Sequence, residues 1–125
     1  MILDTCALLW LARGDGKLSK AARQRIDAAP VVYVSAISGF EIAIKCRKGK
    51  LELPAPPGEW LDAVLRHHGL AVFALDLAIC VRAAELPAIH SDPCDRLIIA
   101  TAQLHQLPVA TTDHVFREYG IEVIT

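Results

Sequence analysis

Short β-branched runs alternate along this chain with stretches of helical periodicity, and Gly or Pro marks most of the junctions. Met1 to Asp4, Val31 to Val34, Leu70 to Leu75, Val109 to Thr112 and Ile121 to Ile124 read as strands. Between them, Thr5 to Ala12 reads as a helix that stops near Gly14. Ser19 caps a second helix that Pro30 ends, and Ser35 caps a third that Gly49 ends. Further helices run from about Glu59 to His68, Leu77 to Leu86, Asp95 to Gln106 and Asp113 to Tyr119. Leu53-Pro54-Ala55-Pro56-Pro57-Gly58 reads as a rigid surface loop, since too little chain flanks it for two cores. Strands joined by helical crossovers predict an α/β fold with a mostly parallel sheet of four to five strands, covered by helices on both faces.

The length of 125 residues fits a single domain spanning 1–125. Apolar residues make up 54% of the chain and charged ones 22%, which favours a sheet buried on both faces and largely buried helices. A formal net charge of −1 gives no global basic field, so nucleic-acid binding would depend on local patches. Two basic stretches exist, Arg13-Lys17-Lys20-Arg23-Arg25 and Lys45-Arg47-Lys48-Lys50, and both also read as solvated helix faces. Cys6, Cys46, Cys80 and Cys94 form no C-x-x-C pair, no secretory leader is evident, and no apolar run is long enough to span a bilayer. Reduced thiols in a cytoplasmic protein without a membrane partner are expected.

Four acids stand out from this apolar background. Asp4 ends the first strand, Glu41 lies inside Ile37-Ser38-Gly39-Phe40-Glu41-Ile42-Ala43-Ile44, Asp95 heads Arg96-Leu97-Ile98-Ile99-Ala100, and Asp113 follows Val109 to Thr112. In an open α/β sheet such positions converge on the edge that binds ligands. Carboxylates brought together repel one another and rise in pKa unless a cation joins them, and an all-oxygen set suits Mg²⁺ or Mn²⁺. The pattern points to metal-dependent phosphodiester cleavage.

Each acid has a plainer reading. Asp4, Asp95 and Asp113 sit where helix N-caps sit. Glu41 and Lys45 form an i,i+4 pair in the favourable order, as on an exposed helix. Against that, Ile37, Ile44, Phe40 and Ala36 fill one arc of this helix, and Ile42, Cys46 and Ala43 extend it. The polar stripe Ser38-Glu41-Lys45-Lys48 is therefore expected to face a cleft from a helix buried nearly all round. Asp92, in His90-Ser91-Asp92-Pro93-Cys94-Asp95, reads as a turn residue or an outer ligand, while Thr5, Thr111 and Thr112 are candidates for orienting water or carboxylates. His67, His68, His90, His105 and His114 show no zinc spacing, and no nucleophile elbow, P-loop or dinucleotide fingerprint is present. A signalling receiver domain would also offer an acidic Mg²⁺ pocket. It needs a Lys after a late strand, and none occurs beyond Lys50.

At these residues the chain resembles PIN-domain ribonucleases, more narrowly the VapC-like toxins of type II toxin–antitoxin pairs. Leu3-Asp4-Thr5 with Ala7-Leu8-Leu9-Trp10, Ser35-Ala36-Ile37-Ser38 with Glu41-Ile42-Ala43-Ile44-Lys45, Asp92-Pro93-Cys94-Asp95-Arg96-Leu97, and Thr111-Thr112-Asp113 resemble its four motifs in order. The likeness covers essentially the whole chain. Only three residues precede Asp4, as a trimmed start would leave, and Cys6 and Cys94 stand where relatives commonly carry bulkier residues. Both thiols read as small buried hydrophobes, or as soft-metal and oxidant targets if they border the site.

The resemblance implies a three-layer α/β/α fold, a homodimer and an endoribonuclease in which Asp4, Glu41, Asp95 and Asp113 hold one or two Mg²⁺ or Mn²⁺ ions. A water activated by the metal would attack in line and leave 5′-phosphate and 3′-hydroxyl ends. Lys45 and Arg96 would orient carboxylates or phosphate. It also implies a cognate antitoxin that blocks RNA entry, with operator DNA contacted through the complex. A housekeeping RNA-processing nuclease and a non-catalytic PIN-like scaffold binding RNA or protein are the alternatives.

Overall fold

A computed structural model describes residues 1–125. The strands are β1 (Ile2–Leu3), β2 (Tyr33–Ser35), β3 (Ala71–Phe73), β4 (Val109–Ala110) and β5 (Val123–Ile124). The helices are α1 (Thr5–Arg13), α2 (Lys20–Ala28), α3 (Ala36–Arg47), α4 (Pro57–His68), α5 (Leu77–Glu85) and α6 (Pro93–His105), with a 3-10 segment at His114–Tyr119. All five strands are parallel, in the order β3-β2-β1-β4-β5. From β1 the chain winds outward through β2 and β3, then returns to the other side for β4 and β5. The strand order thus reverses between β1 and β4, and a crevice opens at their carboxyl ends.

Alternation along the central strands divides the core into two layers. Leu3 and Ala110 face α1, α2 and α4, joining Leu8, Ala22, Ile26, Trp60 and Val64. Ile2 and Val109 face the other way, onto Ile79, Ala83, Ile98, Ile99 and Phe116 of α5, α6 and the 3-10 segment. Helices therefore lie on both sides of the sheet, the expected three layers. No helix is long and apolar enough to cross a membrane.

Several boundaries differ from those read in the sequence. The second strand begins at Tyr33 rather than Val31, because β1 starts at Ile2 and Ile2 pairs with Tyr33, leaving Val31 nothing to pair with. Helix α4 begins at Pro57 rather than Glu59, since proline is preorganised for a first helical position. Helix α6 begins at Pro93 for the same reason, which moves Asp95 from a capping position into the first turn.

The expectation of near-complete burial also fails. Val72 on the edge strand β3 is 55% exposed, and Leu77 on α5 is 80% exposed. The larger correction concerns α3, whose apolar arc is only partly buried: Ile37 and Ile44 are half-buried, but Phe40 is 61% exposed and Ala36 and Ala43 are exposed as well. Its buried residues are Ser38 and Ile42. Of the polar stripe, Ser38 is buried against Thr5, hydroxyl to hydroxyl at 2.9 Å, Glu41 and Lys45 are half-buried, and Lys48 is exposed.

Candidate metal centre

The crevice between β1 and β4 is lined by the ends of three helical segments. Asp4 continues the ladder, its N–H donating to Ala110 O at 3.1 Å, and its carboxylate then accepts from Ala7 N at 2.8 Å as the N-cap of α1. Asp113 caps the 3-10 segment through Val115 N at 3.0 Å, while its own N–H donates to the Thr111 hydroxyl at 3.0 Å. Asp92, not Asp95, caps α6, accepting from Cys94 N at 2.8 Å and Asp95 N at 3.4 Å. Asp4 and Asp113 each cap a helical segment at the crevice. Asp95 projects from the first turn of a helix that Asp92 holds in place.

The four sequence-selected acids face one crevice. Asp95 and Asp113 approach most closely, joined by His90, whose Nε2 lies 3.1 Å from Asp95 Oδ2 and 3.0 Å from Asp113 Oδ2. One ligand atom from each of His90, Asp95 and Asp113 falls within 4.8 Å of the other two. Asp4 and Glu41 lie near enough for their charges to act on Asp95. Burial pushes the Asp4 carboxyl up, opposed by hydrogen bonds from the Thr111 hydroxyl and the Ala7 N–H, and the Glu41 and Asp113 charges push it further. Asp95 is raised to about 7, first by desolvation, then by Asp92, with His90 opposing and Asp4 and Glu41 adding.

Glu41 supplies the sharpest sign of an absent partner. Its Oε2 pairs with Lys45 Nζ at 3.0 Å, yet its Oε1 is buried without any hydrogen-bond partner. A buried carboxylate oxygen without a donor is costly, and a cation in the crevice would satisfy it. With Asp4, Asp95 and Asp113 alongside, the donor set is hard oxygen and fits Mg²⁺ or Mn²⁺.

The secondary candidates divide. Lys45 stands on the site through Glu41, and the contact raises the Lys45 pKa. Thr5 is 3% exposed and ties α1 to α3 through Ser38. Asp92 acts on the first turn of α6. Thr112 is exposed, and the buried threonine at the site is Thr111. Arg96 does not reach the carboxylates. Its guanidinium donates to the carbonyls of Ala83, Ala84, Leu86, Pro87 and His90, where α5 ends and the following loop begins.

Cys6 is exposed and Cys94 half-buried, so neither is the small buried hydrophobe expected. Both border the acids. Partial desolvation and the Asp4 charge raise the Cys6 thiol, and desolvation followed by the Glu41 charge pushes Cys94 up to about 11. Thiols so disfavoured as thiolates are weak nucleophiles and weak metal ligands. The residue that sequence reasoning missed is His90. Its only signal was its place in the same short loop as Asp92 and Asp95.

Comparison with known proteins agrees with this geometry. Ribonuclease VapC22 of Mycobacterium tuberculosis is 32% identical over 120 residues, covering 95% of this chain and 91% of that protein. A toxin–antitoxin complex from Klebsiella pneumoniae contains a chain similar at TM-score 0.66 and 24% identity, covering 99% of this chain and 95% of that one. DNA-bound VapBC from Salmonella typhimurium is similar at TM-score 0.69 and 19% identity, with 98% and 95% covered. The PIN domain pattern matches residues 1–122. With the reversal of strand order, the acids gathered at it and this match in agreement, the chain belongs to the PIN-domain family.

Proposed function

We propose that this chain is a VapC-like toxin, a metal-dependent endoribonuclease restrained by a cognate antitoxin. The observation that carries the metal reading is the buried, partnerless Glu41 Oε1 among acids whose ionisation burial opposes. The ribonuclease reading draws support from the similarity to Ribonuclease VapC22. Bound Mg²⁺ or Mn²⁺, as one or two ions, would neutralise charge at the scissile phosphate and acidify a water for in-line attack.

The chain's own residues supply the rest. Asp4, Glu41, Asp95 and Asp113 hold the cation, and each is fixed by a named contact: the Ala7 N–H, Lys45, the cap at Asp92 and the Val115 N–H. The N-termini of α1 and α6 open onto the same crevice and favour an anionic phosphate there. Exposed Lys48 and Lys50, at and beyond the end of α3, offer positive charge for an RNA backbone.

The similar solved structures include toxin–antitoxin and DNA-bound assemblies. By likeness to them, an antitoxin binds this chain and operator DNA is met through that complex. Coverage of the crevice by an antitoxin segment, and pairing of two copies of this one-domain chain in the cytoplasm, belong to the same proposal. The test is cleavage of total cellular RNA by partner-free protein with Mn²⁺ or Mg²⁺, beside chelator and Asp95→Asn controls. Cleavage lost in both controls, leaving 5′-phosphate and 3′-hydroxyl ends, is expected. Cyclic 2′,3′-phosphate ends would refute attack by water. Folded protein inert under every metal would leave a binding scaffold.

A further inference from the structure

His90 occupies the position between Asp95 and Asp113 that a bridging cation would take, and its hydrogen bonds fix which ring nitrogen carries the proton. The Asp92 N–H donates to His90 Nδ1 at 3.2 Å, so Nδ1 is an acceptor and the ring hydrogen is on Nε2. That N–H donates to Asp113 Oδ2, 3.0 Å away, and Asp95 Oδ2 lies 3.1 Å from the same nitrogen. A histidine that ligates metal shows the opposite arrangement, a bare nitrogen toward the ion and an N–H donated outward from the other side of the ring. The metal-ligand reading of this cluster is therefore the weaker one.

The ring is firmly mounted. The His90 N–H donates to Tyr119 Oη at 2.7 Å, and the Tyr119 hydroxyl donates in turn to Pro87 O at 2.7 Å. Arg96 Nη1 donates to His90 O at 2.9 Å. Phe116 meets the imidazole edge-on, with ring centres 5.9 Å apart, and the side chain is only 15% exposed. A loop held at both backbone atoms and on one ring face presents its N–H to the acids by construction.

We propose that His90 is a resident stand-in for the cation: it bridges Asp95 and Asp113 in the metal-free protein and is displaced when a divalent ion enters between them. The inference rests on the reading of these acids as a metal site. An ion held by Asp95 and Asp113 would need the carboxylate oxygens that His90 Nε2 now contacts. Filling the site then requires His90 to surrender both contacts. The residue sets the ion concentration at which the site loads, and keeps the empty site from being two facing, unpartnered carboxylates.

Calorimetric titration of Mn²⁺ into partner-free wild type and His90→Ala, with pulsed EPR of Mn²⁺ bound to the wild type, tests this. His90→Ala is expected to bind Mn²⁺ about tenfold more tightly, the equivalent of one net hydrogen bond no longer broken on loading. The wild-type spectrum is expected to lack the ¹⁴N coupling of a directly bound imidazole. Equal or weaker binding by His90→Ala overturns the proposal, as does that coupling, which also decides the matter if the variant fails to fold. If neither protein binds Mn²⁺, the metal reading itself falls and takes this inference with it. Wild-type binding without tightening in the variant defeats this inference alone.

Discussion

Asp95→Asn should make the metal-free protein more stable at alkaline pH while removing its capacity to load metal. Asp95 titrates at about 7 in the folded chain, against about 3.9 for an unfolded aspartate. That gap corresponds to roughly 4 kcal/mol at 1.36 kcal/mol per pKa unit. The side chain is 23% exposed, and solvent screening roughly halves the figure, to about 2 kcal/mol. Because the folded-state value is raised, the associated stability is fully present below pH 3.9 or so and is lost as pH rises through about 7.

Asparagine cannot ionise. Urea denaturation in chelator should therefore show Asp95→Asn more stable than wild type by about 2 kcal/mol at pH 8.5 and by only about 0.5 kcal/mol at pH 4.5. Adding Mn²⁺ reverses the order at pH 8.5, since wild type gains about 2.7 kcal/mol at one hundred times its dissociation constant and the variant gains far less. A variant less stable than wild type in chelator at pH 8.5, or an advantage that ignores pH, would show that the site does not strain this carboxylate.

Other perturbations probe the scaffold around the acids. Ser38→Ala should cost about 1–3 kcal/mol in denaturant midpoint analysis by stranding the buried Thr5 hydroxyl, whereas Thr5→Val with Ser38→Ala should recover most of it. Arg96→Lys should cost about 2–3 kcal/mol, because an ammonium cannot serve five carbonyls. Amide exchange across residues 83–92 should quicken with it, and an unchanged midpoint would discount this clamp. Cys94, held up to about 11, should react with iodoacetamide at pH 8 about tenfold more slowly than a free thiol, a difference readable by mass spectrometry of timed digests.

Much of this architecture was legible because local signals and tertiary demands agree. Gly14 ends α1 with φ 62°, Ser19 caps α2 through Ala22 N, and the β-branched runs fall in the sheet. The acids stood out in the sequence because each lies at an element end or in an apolar run, although Asp4 and Asp113 also cap helical segments and Glu41 also pairs with Lys45. Helix α3 shows where such reading stops. Periodicity separates a polar from an apolar face but does not say which residues meet the rest of the fold, and Ser38 finds its partner in the Thr5 hydroxyl, 33 residues away in sequence. His90 was invisible for a related reason: its role depends on Asp113, brought to it by β4 from 23 residues further along.

The brevity of the central strands has a consequence of its own. β1 and β4 are two residues long, and all four of those residues are fully buried. Asp4 follows immediately, 6% exposed and with its own N–H still in the ladder. A longer strand would carry its terminal carboxylate several ångströms further toward water, at about 3.3 Å per residue. Here the carboxylate has no slack. Fraying the last ladder bond to hydrate it would pull at the middle of the sheet, so the strain on Asp4 is relieved by a proton or a cation rather than by movement. An electrostatic demand is thereby written into the backbone, and conditions that empty the crevice should be felt in the stability of the whole molecule.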